Sequence, residues 1–171
     1  MAGGGEDTGS CGSGYRSLLH GNGAAKLRQV QRALEHFFVI FITRVVRKPN
    51  SPNWIDKCPV FIGCPDFPVA KHEKQPLSDV LINDGLHAHG ILLVPKKSRL
   101  TKSVDQHFLE WESMYLSKVN DLASIHIEPI VSNPDRVVDY ILKGLKARKV
   151  ECDDIIVLPK ATSETNTIKL S

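Results

Sequence analysis

Residues 86–95 read "LHAHGILLVP", and this stretch restricts the fold more than any other in the chain. A short run of Leu, Ile and Val between "NDG" and a proline is a β-strand, and a strand requires partners along its edges. Successive side chains of a strand point to opposite faces, so His87 and His89 share one surface and Ala88 faces the other. Two imidazoles side by side fill a core poorly. They are either partly exposed polar residues or a grip for a metal ion, and the rest of the chain has to decide.

The preceding segment "LSDVLI" (77–82) and the histidine strand flank "NDG" (83–85), which suits a tight hairpin with Gly85 in a left-handed conformation. Elsewhere, "AAKLRQVQRALEHF" (24–37) has helical spacing of Leu27, Val30, Ala33 and Leu34. "FFVIFITRVV" (37–46) is aromatic and β-branched and predicts a buried central strand. Pro49 to Pro76 holds six prolines and predicts loop with one short strand, "PVFIG". "SVDQHFLEWESMYLSKV" (103–119) predicts an amphipathic helix with Phe108, Trp111, Tyr115 and Val119 on its packing face and His107 toward solvent. "ASIHIEPIV" (123–131) alternates as a strand and "DIIVLP" (154–159) suits a last edge strand. "NPDRVVDYILKGLKA" (133–147) is a helix with proline at its start, where a missing N–H costs little. The order implies an α+β domain, a central antiparallel sheet with packed helices.

Eight of the twelve glycines fall within residues 1–23, so that stretch is expected to be a flexible tail, as are the polar residues 160–171, leaving one domain over 24–159. No signal-peptide pattern and no membrane-length apolar run is present, which points to a cytoplasmic protein without a membrane partner. Cys11, Cys58, Cys64 and Cys152 are scattered without zinc-finger spacing and are expected to be reduced thiols. The net charge of +3 permits a nucleic-acid partner without requiring one. The cations do cluster, around Arg44, around Lys96, Lys97 and Arg99, and from Lys143 to Lys149, although any one cluster also suits a solvated face.

On the helix from Pro134, Val137, Val138, Ile141, Leu142 and Leu145 make one apolar stripe. Tyr140 and Lys143 fall off it and, three residues apart, lie close together. Packing therefore does not account for Tyr140. A tyrosine at the edge of a core is common, but a tyrosine beside a lysine in a chain with paired histidines is less so.

These motifs together resemble the HUH endonucleases. His87-Ala88-His89 is similar to their His-hydrophobe-His motif, and "DYILKG" to the Y-x-x-K motif of the single-tyrosine rolling-circle replication initiators. "FVIFIT", ending at Thr43, falls where that family's first motif strand lies, and "IHIEPI" before the Y-x-x-K helix also resembles bacterial and phage initiators. The resemblance spans residues 37–147 and implies a Rep-like fold. It implies a metal-dependent nickase of single-stranded DNA in which Tyr140 attacks a phosphodiester to give a 5′-phosphotyrosine and a free 3′-OH. His87 and His89 would then hold Mg²⁺ or Mn²⁺, and Lys143 would hold the phosphate or stabilise developing charge. Arg44, Lys96, Lys97 and Arg99 become candidates for DNA-backbone contacts, and the substrate is a single strand or a hairpin at an origin. No G-x-x-x-x-G-K motif follows, so any helicase would be separate. The position four after the tyrosine is Gly144, not the glutamine typical of single-tyrosine transposases, which favours the initiator type over a transposase or a mobilisation relaxase.

Initiators of this type add an acidic or amide ligand from a neighbouring strand. With "NDG" as a three-residue loop, Asp79 opposes His89 and shares its face, making Asp79 the expected third ligand. Asp84, Glu73 and Glu128 are the alternatives. His126 is read as an ordinary sheet-face histidine. Two other functions compete: a noncatalytic single-stranded DNA-binding module, which needs cations and aromatics but not this Tyr–Lys pair, and a metal-dependent phosphoesterase that activates water instead.

Overall fold

The structure is a computed structural model that describes residues 7–15, 23–49, 51, 57–66, 86–116 and 122–160. These residues form an α+β fold around a five-stranded sheet. Strand β1 (Asp7–Tyr15) is followed by helix α1 (Gly23–Val45), then β2 (Val60–Asp66) and β3 (His87–Val94). Helix α2 (Val104–Tyr115), β4 (Leu122–Pro129), α3 (Pro134–Ile141), the short α4 (Lys143–Lys146) and β5 (Ile156–Leu158) complete it. The strand order is β4-β1-β3-β2-β5, every pairing antiparallel. No helix among the described residues is long and apolar enough to cross a membrane.

The histidine strand β3 lies at the centre. One edge pairs with β2 and the other with β1, a strand drawn from the segment expected to be a flexible tail. Ladder hydrogen bonds use backbone groups alone, so a glycine-rich sequence without hydrophobic periodicity can still be held between two strands. The "NDG" hairpin (77–85) lies outside the described residues. The positions opposite His89 belong to Cys64 of β2 and Gly12 of β1, and Asp79 lies outside the described residues.

The second departure is "FVIFIT". It is helical, the last third of α1, not a strand. A strand would send Phe37 and Phe38 to opposite faces. The helix instead extends the stripe Val30, Ala33, Leu34 through Phe37, Phe38, Phe41 and Val45, all buried. Phe37 and Phe41 stack on Phe108 at 5.5 and 5.2 Å between ring centroids. Burying that aromatic layer outweighs the local β preference of Val39, Ile40 and Ile42.

The sheet is covered on both faces. Phe61, Ala88 and Leu92 face the layer of α1 and α2, while Cys64 joins Ile141 and Val150 under α3 and α4. On the first face the Phe61 ring lies over Gly63 and its ladder partner Gly90, where added Cβ atoms would come 2.6 and 2.5 Å from it. Helix α2 departs from its expected wheel. Trp111 has non-helical angles (φ −112°, ψ 19°) and is turned to solvent under the Arg44 guanidinium, 5.7 Å from its ring centroid. The same irregularity accompanies a buried His107, expected in solvent, whose Nε2 lies 2.8 Å from the Tyr115 hydroxyl.

Candidate metal centre and neighbouring tyrosine

The alternation of β3 places Ala88, Gly90, Leu92 and Val94 in the core and leaves His87 and His89 on the α3–α4 face. The two imidazoles meet there, Nε2 to Nε2 at 2.9 Å, with their rings nearly perpendicular. The third member is Asp66, the last residue of β2 and the ladder partner of His87. Its Oδ2 lies 3.2 Å from His87 Nε2 and 3.7 Å from His89 Nε2. Asp66, His87 and His89 offer ligand atoms all within 4.8 Å of one another, and this group could hold a metal ion.

The electrostatics suit a cation. Asp66 is buried, and a buried carboxylate requires compensating partners. His89 is pushed down to about 4, chiefly by burial and then by His87 and Lys143, against the opposing pull of Asp66. A neutral imidazole keeps a lone pair on one ring nitrogen, which is what a metal binds.

Helix α3 begins after Asn133, a left-handed residue whose side-chain oxygen accepts from the Arg136 N–H, with Pro134 in the first turn. Val137, Ile141 and Leu145 pack on Cys64 and Val150, which anchors the helix pair over β2 and β3. Tyr140, off that stripe as expected, is 53% exposed, and its ring meets the His89 ring at 4.9 Å in an edge-to-face contact. The chain breaks regular helix at Leu142 (φ −83°, ψ 10°) and starts α4 with Lys143. Lys143 Nζ sits 4.2 Å from the Tyr140 ring centroid and 2.8 Å from Asp66 Oδ2. Burial works against its charge, but Asp66 and the Tyr140 phenol outweigh it and hold the ammonium above the ordinary lysine value. Gly144 makes this approach possible, because a Cβ there would lie 3.1 Å from the Pro65 carbonyl oxygen.

Four sequence-selected residues, His87, His89, Tyr140 and Lys143, thus meet at one place. Asp79, Glu73 and Asp84 lie outside the described residues. Glu128 is on β4 and pairs with His126 at 2.9 Å, both exposed. Asp66 is the residue that sequence reasoning missed. The strand predicted from the sequence, "PVFIG", ends at Gly63. In the structure β2 runs on through Pro65 to Asp66, and among the described residues β5 pairs with Phe61, Ile62 and Gly63 only, so no described strand on that edge calls on Pro65 for an N–H. Two more residues of alternation from Cys64 would have placed Asp66 beside the histidines.

Arg44, Lys96, Lys97 and Arg99 are exposed and gather at the other end of β3. The Arg99 N–H donates to the Val45 carbonyl at 2.9 Å, which joins that turn to the end of α1. From His89 to Val94 alone the strand rises about 16 Å, so these cations are remote from Tyr140. Cys58, Cys64 and Cys152 are free thiols, and burial pushes Cys58 up to about 12. No protein-family model, curated protein or solved structure matches this chain.

Proposed function

We propose that the chain is a metal-dependent endonuclease of the HUH type that nicks single-stranded DNA through Tyr140, as a rolling-circle replication initiator does. The observation that carries this reading is the position of Tyr140. An exposed phenol stands against His89 of the Asp66–His87–His89 cluster with an ammonium on its ring. A structural tyrosine would be buried in the apolar stripe of α3.

Asp66, His87 and His89 would hold the ion, and the mixed carboxylate and imidazole set suits Mn²⁺ or Mg²⁺. When bound, that ion supplies Lewis-acid polarisation of a phosphoryl oxygen. The protein's own groups supply the rest. Tyr140 Oη forms the new bond to phosphorus while the bond from phosphorus to the 3′-oxygen breaks. The phenolic proton is lost as the nucleophile attacks, and one proton is taken up by the departing 3′-oxygen, so the exchange is balanced. A neutral phenol is a weak nucleophile, and the Lys143 ammonium beside the Tyr140 ring is placed to offset negative charge as it develops in the attack. The product keeps a phosphodiester-level bond on Tyr140, which a 3′-OH can later attack to rejoin the strand.

The test is incubation of the chain with a pool of single-stranded oligonucleotides and Mn²⁺, followed by a denaturing gel and sequencing of retained DNA. A covalent adduct is expected with the native chain and with Tyr115→Phe, and none with Tyr140→Phe. Cleavage by Tyr140→Phe without any adduct would mean that water is the nucleophile. DNA binding without cleavage would reduce the chain to a binding module.

A further inference from the structure

We infer that Lys143 is a latch on the metal centre: its ammonium competes with the cation for Asp66 and is left to Tyr140 alone when the centre is filled. The inference rests on the metal-centre reading above and concerns the order of events there. Three groups converge on one atom. Asp66 Oδ2 is 2.8 Å from Lys143 Nζ, 3.2 Å from His87 Nε2 and 3.7 Å from His89 Nε2. The oxygen that a cation between the imidazoles would use is already occupied by an ammonium.

The two partners of this ion pair differ in freedom. The Asp66 side chain is 4% exposed at the end of a paired strand. It stays with the imidazoles. Lys143 is 38% exposed on a flexible four-carbon stem, and the same Nζ that meets Asp66 already lies 4.2 Å from the Tyr140 ring centroid, so it can leave the carboxylate without leaving the tyrosine. A divalent ion held by Oδ2 would bring two positive charges close to Nζ, and like charges at short range oppose one another. The mobile partner leaves. Paired with Asp66, Lys143 neutralises a buried carboxylate; once a cation takes over that role, the same ammonium is left to the phenol and the incoming phosphate. Filling the centre frees the ammonium from Asp66, and Lys143 is the positioning residue that links the ion to the nucleophile.

The test measures Mn²⁺ uptake without DNA, by the electron paramagnetic resonance signal of free Mn²⁺. Lys143→Met keeps the length of the stem and removes the charge. It is expected to bind Mn²⁺ about tenfold more tightly than the native chain, a difference of ~1.4 kcal/mol. The second readout needs no variant: acylation of lysines followed by mass spectrometry, with and without Mn²⁺. Labelling of Lys143 is expected to rise on adding Mn²⁺. Lys102, paired with Glu110 at 2.8 Å on α2, serves as the unchanged control. Equal or weaker Mn²⁺ affinity in Lys143→Met, or unchanged labelling of Lys143 at saturation, overturns the latch while leaving the metal centre standing. No Mn²⁺ uptake by either protein removes the centre itself and the latch with it.

Discussion

Asp66 and His87 are ladder partners across β2 and β3, and their side chains meet on the covered face with 3.2 Å between Oδ2 and Nε2. The carboxylate reaches the histidines because directly opposed residues share a face. Asp66→Asn keeps the size and removes the charge. It is expected to lower Mn²⁺ affinity by about a hundredfold or more, since disturbing even the outer partners of a metal site costs about 10- to 100-fold. Calorimetric titration measures this. Unchanged binding would move the carboxylate role elsewhere, with Asp79 the first residue to replace.

Gly144→Ala sets two effects against each other. Alanine gains up to about 1 kcal/mol of helix propensity over glycine. Its Cβ also meets the Pro65 carbonyl oxygen at 3.1 Å, so α4 must shift by a few tenths of an ångström. Net stability is expected to change by less than about 1 kcal/mol, while adduct formation falls because Lys143 moves with α4. A chemical melt beside the gel assay separates the two, and full activity at unchanged stability would show that the approach of α4 is not needed.

The Phe61 ring over Gly63 and Gly90 predicts a rescue that depends on position. Gly63→Ala and Gly90→Ala should each cost about 1–3 kcal/mol by overpacking. Truncating the ring removes the clash at Gly63. A Cβ at Gly90 would still lie 2.8 Å from the Ile62 carbonyl oxygen. In a Phe61→Ala background, Gly63→Ala should therefore cost almost nothing and Gly90→Ala should remain costly. Urea denaturation of the native chain, the three single variants and the two double variants decides it.

Stability should fall in mild acid through His107. Burial holds its pKa below the ordinary 6.5, and the Arg44 guanidinium from α1 adds to this, while Glu110 on its own helix pulls the other way. The imidazole also bonds to Tyr115 from the far end of α2. A depressed folded pKa means that the unfolded chain binds the proton more readily. The contribution is full above about 6.5 and is lost as pH falls below it. Urea midpoints at about pH 7.5 and about pH 5 should differ less in His107→Gln, which can still bond to Tyr115 but does not titrate. An identical difference in both proteins would place the acid sensitivity in other groups.

Periodicity alone determined the parts of this protein where one face is buried against one layer. The alternation of 87–94 put His87 and His89 on a common face, and the stripe from Val137 to Leu145 left Tyr140 and Lys143 off the core. Both follow from backbone geometry and need no partner to be known. Tertiary structure decided whatever depends on a distant segment. Phe37, Phe38 and Phe41 are helical because Phe61, Phe108 and Tyr115 are there to receive them together. Residues 7–15 are a strand because β3 and β4 each offer an unsatisfied edge, which no side-chain pattern records. Asp66 joins the site because β2 runs on beyond its pairing with β5 and keeps its register with β3 as far as His87. Local sequence encodes which way a side chain points, and only the packed chain selects what stands opposite it.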